Sequence, residues 1–226
     1  MSQKKRLTHK ELGDVLGGGR DFWPTPQVVA DYVVAYLLPP LDTDTPHLLD
    51  AGAGTGVWGK AAYKRFGNHM HLVGVDLPGI VAPPHYNCFY HEGFDVFAKG
   101  YKGQLFDAVI GNPPFGNDIP QKWLYWLWNK LVRRDGYILW LLRMAWAESE
   151  RRYDAIFNAG MAPYMTFNSA KRLSFTGDGK TDETAYKVFL WRVGWNGYTN
   201  EGWSREEWFH FGRVPEKTDG AQPALL

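Results

Sequence analysis

Apolar and polar positions alternate along the chain in blocks whose period switches between strand-like runs and helix-like faces. His47 to Asp50 is a short apolar run ending in a carboxylate, and it enters a turn holding Gly52, Gly54 and Gly56. A helix is predicted from Val57 to Phe66, stopped by Gly67. His71 to Asp76 is the next strand, one βαβ crossover further on. Asn87 to Tyr90 and Phe106 to Gly111 predict a third and a fourth strand. Gln121 to Val132 reads as a Trp-rich helix, and Gly136 to Leu142 is apolar throughout, as a strand buried on both faces must be. Glu148 to Ala159 predicts helix, and Tyr164 to Phe167 and Ala185 to Val193 predict the last two strands. Ahead of all these, Val28, Val29, Tyr32, Val33, Tyr36 and Leu37 share one face at helical spacing. Thr25 is placed as the N-cap of that helix, Pro26 as its first residue and Pro39-Pro40 as its stop.

This order predicts an α/β fold: a doubly wound, seven-stranded, mostly parallel sheet whose last strands form an antiparallel, hairpin-like pair. A chain of 226 residues suits one such domain, expected over 21–214. Residues 1–20 read as a flexible arm, with Lys4, Lys5, Arg6, Lys10 and Arg20 against Glu11 and Asp14; 215–226 read as a disordered tail. The arm is either a solvated segment or a phosphate contact. With 25 Lys+Arg against 24 Asp+Glu, the chain cannot coat nucleic acid by bulk charge. The single cysteine, Cys88, excludes an internal disulfide and a four-cysteine zinc site. His85-x-x-Cys88-x-x-His91 has metal-like spacing, but three-residue steps on a strand alternate faces, so no metal is expected. No apolar stretch is long enough for a bilayer and no secretory leader is visible, so a soluble, cytoplasmic protein is expected. The 11 Trp, 12 Tyr and 13 Phe fit either a large core or stacking surface for planar ligands.

Ligands of doubly wound sheets bind at the carboxyl ends of the strands. Three features fall there. The first is Asp50-Ala-Gly-Ala-Gly-Thr-Gly56, whose glycines let backbone approach a ligand. The second is Asp76, placed to accept ribose hydroxyls, as in NAD-type and S-adenosylmethionine-type sites; the Gly-x-Gly-x-Gly spacing leans to the latter. Asp50 either holds its own loop or serves the ligand. The third is Asn112-Pro113-Pro114-Phe115. Two prolines cannot continue a sheet and fix φ, so they lock the Asn112 side chain and the Pro113 carbonyl toward one space, with Phe115 as an apolar wall. Two acceptors beside a flat ring suit an exocyclic amine.

These motifs, in this order, resemble the gamma-order S-adenosylmethionine-dependent amino-methyltransferases, and the tetrapeptide is similar to that of DNA adenine-N6 methyltransferases. Phe22-Trp23-Pro24-Thr25-Pro26 looks like their first motif and Phe94-Asp95-Val96 like the one holding the cofactor adenine; the likeness spans about residues 21–193. The resemblance implies a Rossmann-like class I methyltransferase domain with S-adenosylmethionine as cofactor. It implies that Thr25 bonds the methionine carboxylate, that Asp50 with Gly52, Gly54 and Gly56 cradles the methionine part, and that Asp76 binds the ribose. Asp95 would take the adenine amine, with Glu92 competing for that role, and Phe94 or Val96 would lie against the ring. Asn112, Pro113, Pro114 and Phe115 would be catalytic, and Phe175, Lys171 and Arg172, on the long 168–184 connection, would meet the substrate.

The implied partner is DNA, with RNA as the alternative, and its target base must leave the stack to react. Arg143, Arg151, Arg152 and Lys180 form either a phosphate track with Lys171 and Arg172 or a scattered solvated surface. Too little chain follows Val193 for a separate target-recognition domain, so relaxed or short sequence preference, or action on RNA or with a partner, is expected; a protein partner is possible but not required. The size suggests a solitary, phage-borne enzyme rather than half of a restriction pair. Glutamine-N5 methylation of a protein and a catalytically inactive cofactor-binding subunit stand as rival readings.

Overall fold

Five consecutive residues, His47–Ala51, form β1, and all five are buried because the strand lies inside the sheet with a layer on each face. The structure is a computed structural model and describes residues 24–116, 118–175, 184–195 and 205–213. The expected arm and tail and Lys180 lie outside these residues. The remaining strands are β2 His71–Asp76, β3 Cys88–His91, β4 Phe106–Gly111, β5 Val132–Arg143, β6 Met165–Ser169, β7 Tyr186–Arg192 and β8 Arg205–Phe209. They form one sheet in the order β3-β2-β1-β4-β5-β7-β6-β8. β1 pairs in parallel with β2 and β4, β2 with β3, and β4 with β5; β7 runs antiparallel between β5 and β6. The winding reverses between β1 and β4, so a crevice opens at their carboxyl ends.

Alternate residues of the central strands point to opposite layers. Leu48, Leu72, Ala108 and Ile110 pack on one face against α1 (Gln27–Tyr32) and α2 (Val57–Phe66). Leu49, Val73, Val75 and Val109 pack on the other against α3 (Phe94–Gly100) and α4 (Ile119–Trp126). α1 runs on as a π turn, Val33–Leu37. Arg65 of α2 donates to the Val34 and Leu38 carbonyls, both at 2.6 Å, so the end of that turn is capped from outside.

Several expectations need correction. Pro26, not Thr25, occupies the N-cap position of α1, and it makes no side-chain cap bond. α4 begins at Ile119 and passes into a π turn, Leu127–Leu131, and β5 starts at once at Val132 rather than at Gly136. Val132 pairs with Phe106 and Tyr137 with Ala108, a register shift that absorbs the polar residues Arg133 to Asp135 as an irregularity within the strand. The expected helix over 148–159 is broken into a short α5, Glu150–Arg152, and a π turn, Tyr153–Phe157, and a 3₁₀ turn, Met144–Ala147, precedes it.

The sheet has an eighth strand beyond the seven expected. β8 adds in parallel to β6, and its Glu206 is held by Asn168 at 2.8 Å and Lys187 at 2.5 Å. Four of its five residues are exposed, so it carries almost no apolar signature. Trp208 is 71% exposed, whereas Phe209 turns inward and stacks on Tyr32 at 5.6 Å.

Candidate functional site

A cavity of about 550 Å³ opens at the carboxyl ends of β1, β2 and β4. Of the residues anticipated from sequence, Thr25, Gly52, Gly54, Asp76, Phe94, Asp95, Val96, Asn112 and Pro114 line it. Glu92 lines it too, so both contenders for one role face the same space.

The Gly-rich turn forms its floor. Gly52, Gly54 and Gly56 all have positive φ, at 75°, 53° and 78°, a region open to glycine without strain. The amides of Gly52 and Ala53 donate to the Val75 carbonyl at 2.8 and 3.1 Å, which ties the turn to β2. Asp76 completes the tie: its carboxylate accepts the Gly54 amide at 2.6 Å and the Leu77 amide at 2.7 Å. A carboxylate has about four lone-pair sites, so Asp76 keeps capacity toward the cavity it lines.

The opposite wall is aromatic and apolar. Phe94, at the start of α3, is buried and lies 4.4 Å from Trp123 between ring centroids. Trp123 lies over Gly52, where a Cβ would sit in ordinary contact at 3.5 Å from the indole. Leu77 and Val96, 50% and 59% exposed, stand at the rim.

Asn112 follows β4 directly, and its Nδ2 donates to Thr25 Oγ1 at 3.2 Å. The first and third motifs therefore meet side chain to side chain. Pro113 is buried and Phe115 half-buried, and neither is among the residues lining the cavity. Phe115 packs beside Tyr186 at 5.8 Å, with the Arg143 guanidinium 5.0 Å from its ring centre.

Asp50 and Gly56 do not line the cavity. Asp50 is fully buried beneath the turn, and its Oδ2 accepts the Tyr86 hydroxyl at 2.5 Å. Burial pushes its carboxyl up to about 7, against the opposing pull of the Tyr86 hydrogen bond. Its Oδ1 is buried without a hydrogen-bond partner. Gly56 is covered by Pro83. Phe175 is also placed differently from expectation: it is buried, 4.7 Å from Tyr186, and so supports the Phe115 cluster from within. Lys171 and Arg172 are exposed away from the cavity wall, and the Lys171 ammonium lies 5.7 Å from the Phe211 ring. Arg151 and Arg152 are paired with Asp118 at 2.8 and 3.6 Å. His85 stacks on Tyr63 at 4.1 Å, and no cluster of His, Cys, Asp or Glu among the described residues could hold a metal ion. No described helix is long and apolar enough to cross a membrane.

Sequence reasoning missed Trp123 and Tyr86. The signal for Tyr86 lay in two glycines outside any motif. A Cβ at Gly59 would run into the Tyr86 hydroxyl and ring; one at Gly74 would lie 2.5 Å from Phe89 and 2.7 Å from Tyr86. These glycines cut the slot through which Tyr86 reaches Asp50. Gly59→Ala is expected to expel the phenol and destabilise the fold by about 1–3 kcal/mol, the scale of overpacking. Denaturant midpoints measure this, and an unchanged midpoint would show that the slot is not needed.

No family model matches the chain, and no curated protein matches it in sequence. Solved structures do share its fold. A Listeria monocytogenes protein described as a class I S-adenosylmethionine-dependent methyltransferase aligns with TM-score 0.62 at 11% identity, over 84% of this chain and 67% of its own. The methyltransferase subunit of a type I restriction-modification system from Streptococcus thermophilus aligns with TM-score 0.55 at 18% identity, over 76% of this chain and 45% of its own. The fold is thus the Rossmann-like fold of class I methyltransferases, with a mostly parallel sheet and antiparallel later strands.

Proposed function

We propose that the chain is an S-adenosylmethionine-dependent methyltransferase that acts on the exocyclic N6 amine of adenine in DNA. The observation that carries this reading is one cavity lined by the Gly-rich turn, Asp76 and Asn112 together. The residues fit the donor. The volume lies in the range of cofactor sites. Positive-φ glycines open the turn, Asp76 offers acceptors for hydroxyls, and Leu77, Val96 and Trp123 offer flat or apolar walls for a purine. When bound, the sulfonium supplies an activated methyl group together with its own leaving group.

The chain's own residues then have to present the amine. Adenine N6 is a weak nucleophile because its lone pair is delocalised into the ring. In this reading its two hydrogens go to Asn112 Oδ1 and to the carbonyl of Pro113, which adjoins the cavity between Asn112 and Pro114 without lining it; this draws the nitrogen toward tetrahedral geometry and frees the lone pair. With the donor bound, the amine would form its N–C bond as the donor's S–C bond broke, and the surplus amine proton would leave to solvent. Positioning and fixed acceptors supply the acceleration, without a covalent protein nucleophile. Phe115 sits beside this clamp, and the exposed Arg143 next to it gives a cation for a phosphate of a flipped-out or single-stranded target.

Incubation of the full chain with methyl-labelled S-adenosylmethionine and single-stranded DNA, duplex DNA, RNA or protein, followed by mass spectrometry of the digests, tests the reading. N6-methyladenine in DNA is expected. Label in RNA adenine or in protein glutamine would move the substrate class, and no transfer to any of them would defeat the enzymatic reading. Sequencing the modified sites in random oligonucleotides should give a short or relaxed preference rather than a strict six-base consensus.

A further inference from the structure

We infer that Thr25 is a positioning residue whose single hydroxyl couples seating of the methyl donor to alignment of the Asn112 amide; this rests on the methyltransferase reading above. Three observations carry it. Thr25 is 5% exposed yet lines the cavity, so its hydroxyl is a buried polar group at the wall. It is spent on no helix cap, since the cap position belongs to Pro26. Its Oγ1 accepts the Asn112 Nδ2 hydrogen at 3.2 Å.

The chemistry follows from the donor and acceptor inventory. A hydroxyl has two acceptor lone pairs and one hydrogen to give. Asn112 uses an acceptor position, so the Thr25 hydrogen remains for an anionic or carbonyl oxygen in the cavity. A carboxamide is planar, and its oxygen and nitrogen fork from one carbon at a fixed angle. Anchoring Nδ2 on Thr25 therefore fixes the direction of Oδ1, the acceptor that the amine requires. Pro24 and Pro26 flank Thr25 and restrict the backbone that carries the hydroxyl on both sides. Fixing the hydroxyl from the donor side fixes the amide on the other. By linkage, an aligned amide also favours the donor.

The test uses the full-length, ¹⁵N-labelled chain and S-adenosylhomocysteine as probe. The Asn112 side-chain NH2 signals are assigned by their loss in Asn112→Asp. In the wild type, saturation with S-adenosylhomocysteine should shift both signals. In Thr25→Val, saturated as checked by calorimetry, that response should vanish. Turnover at saturating S-adenosylmethionine should fall roughly ten- to a hundredfold, the scale of a misplaced catalytic group. Thr25→Ser should restore both, and Thr25→Ala replaces the valine variant if the latter melts early. A Thr25→Val variant whose amide still responds, or whose only defect is a raised KM for the donor, overturns the inference and leaves the methyltransferase reading standing. A wild-type chain that does not bind S-adenosylhomocysteine at all brings down both.

Discussion

Asn112→Ala should lower methyl transfer by a factor on the order of 10²–10³, the scale on which a single preorganised hydrogen-bonding group acts in a transition state. The substitution removes the side-chain acceptor that the amine needs and leaves the Pro113 carbonyl to hold one hydrogen alone. The loss should fall on turnover rather than on donor affinity. Gly52, Gly54 and Asp76 face the same cavity from β1 and β2 and owe nothing to the Asn112 side chain. Folding should survive, because Asn112 is half-buried at a strand end rather than packed in either core layer. Single-turnover transfer of labelled methyl to an adenine-containing oligonucleotide measures the rate, and calorimetry with S-adenosylhomocysteine measures the binding. A variant that transfers methyl within a few-fold of the wild-type rate would end the proposed mechanism.

The central half of the fold was legible because its strands are buried on both sides. Phe106 to Gly111 is apolar enough that strand and sequence run coincide end to end, and α2 is bounded by glycines on both sides. The two carboxyl-end motifs could be placed from the chain alone, since a Gly-rich turn and a double proline both dictate backbone geometry locally. β8 could not be read. Its ladder bonds are backbone groups and its side chains are mostly solvated, so the information that makes it a strand belongs to β6. Asp50 was half-read: the sequence left it open between holding its loop and serving a ligand. The loop residue Tyr86, which decides its surroundings, is brought in by tertiary packing alone. Thr25 was assigned a cap because Ser and Thr before a helical pattern usually serve there. Its hydroxyl instead meets a side chain from the end of β4, a partner that no local pattern announces.

Asp50→Asn should make the protein more stable at pH 8 and a poorer binder of the cationic donor. The fold holds the Asp50 carboxyl at about 7 against an ordinary 3.8, chiefly through burial. The folded state therefore binds more protons than the unfolded state between these two values. Stability associated with the neutral acid is fully present below about pH 4 and is lost as pH rises to about 7, after which the loss is complete. At about 1.4 kcal/mol for each pH unit of displacement, the loss is on the order of 4 kcal/mol at pH 8. Asparagine has the same shape, can still meet the Tyr86 hydroxyl and never carries the charge. The stability gap between variant and wild type should widen by roughly 2 kcal/mol from pH 5.5 to pH 8 and then stay level. Denaturant melts at several pH values give this curve, and a gap that ignores pH would mean that Asp50 is not the group titrating. A buried charge is kept against such a cost where it serves a site. S-adenosylmethionine carries a sulfonium and an ammonium against one carboxylate, whereas S-adenosylhomocysteine has no sulfonium and is neutral overall. A charge pair acting through protein at an effective dielectric of about 20 contributes about 1–4 kcal/mol. Asp50→Asn should therefore weaken S-adenosylmethionine about tenfold while leaving S-adenosylhomocysteine nearly unchanged. Equal weakening of both ligands would show that Asp50 only shapes the turn, and that its charge does nothing for the donor.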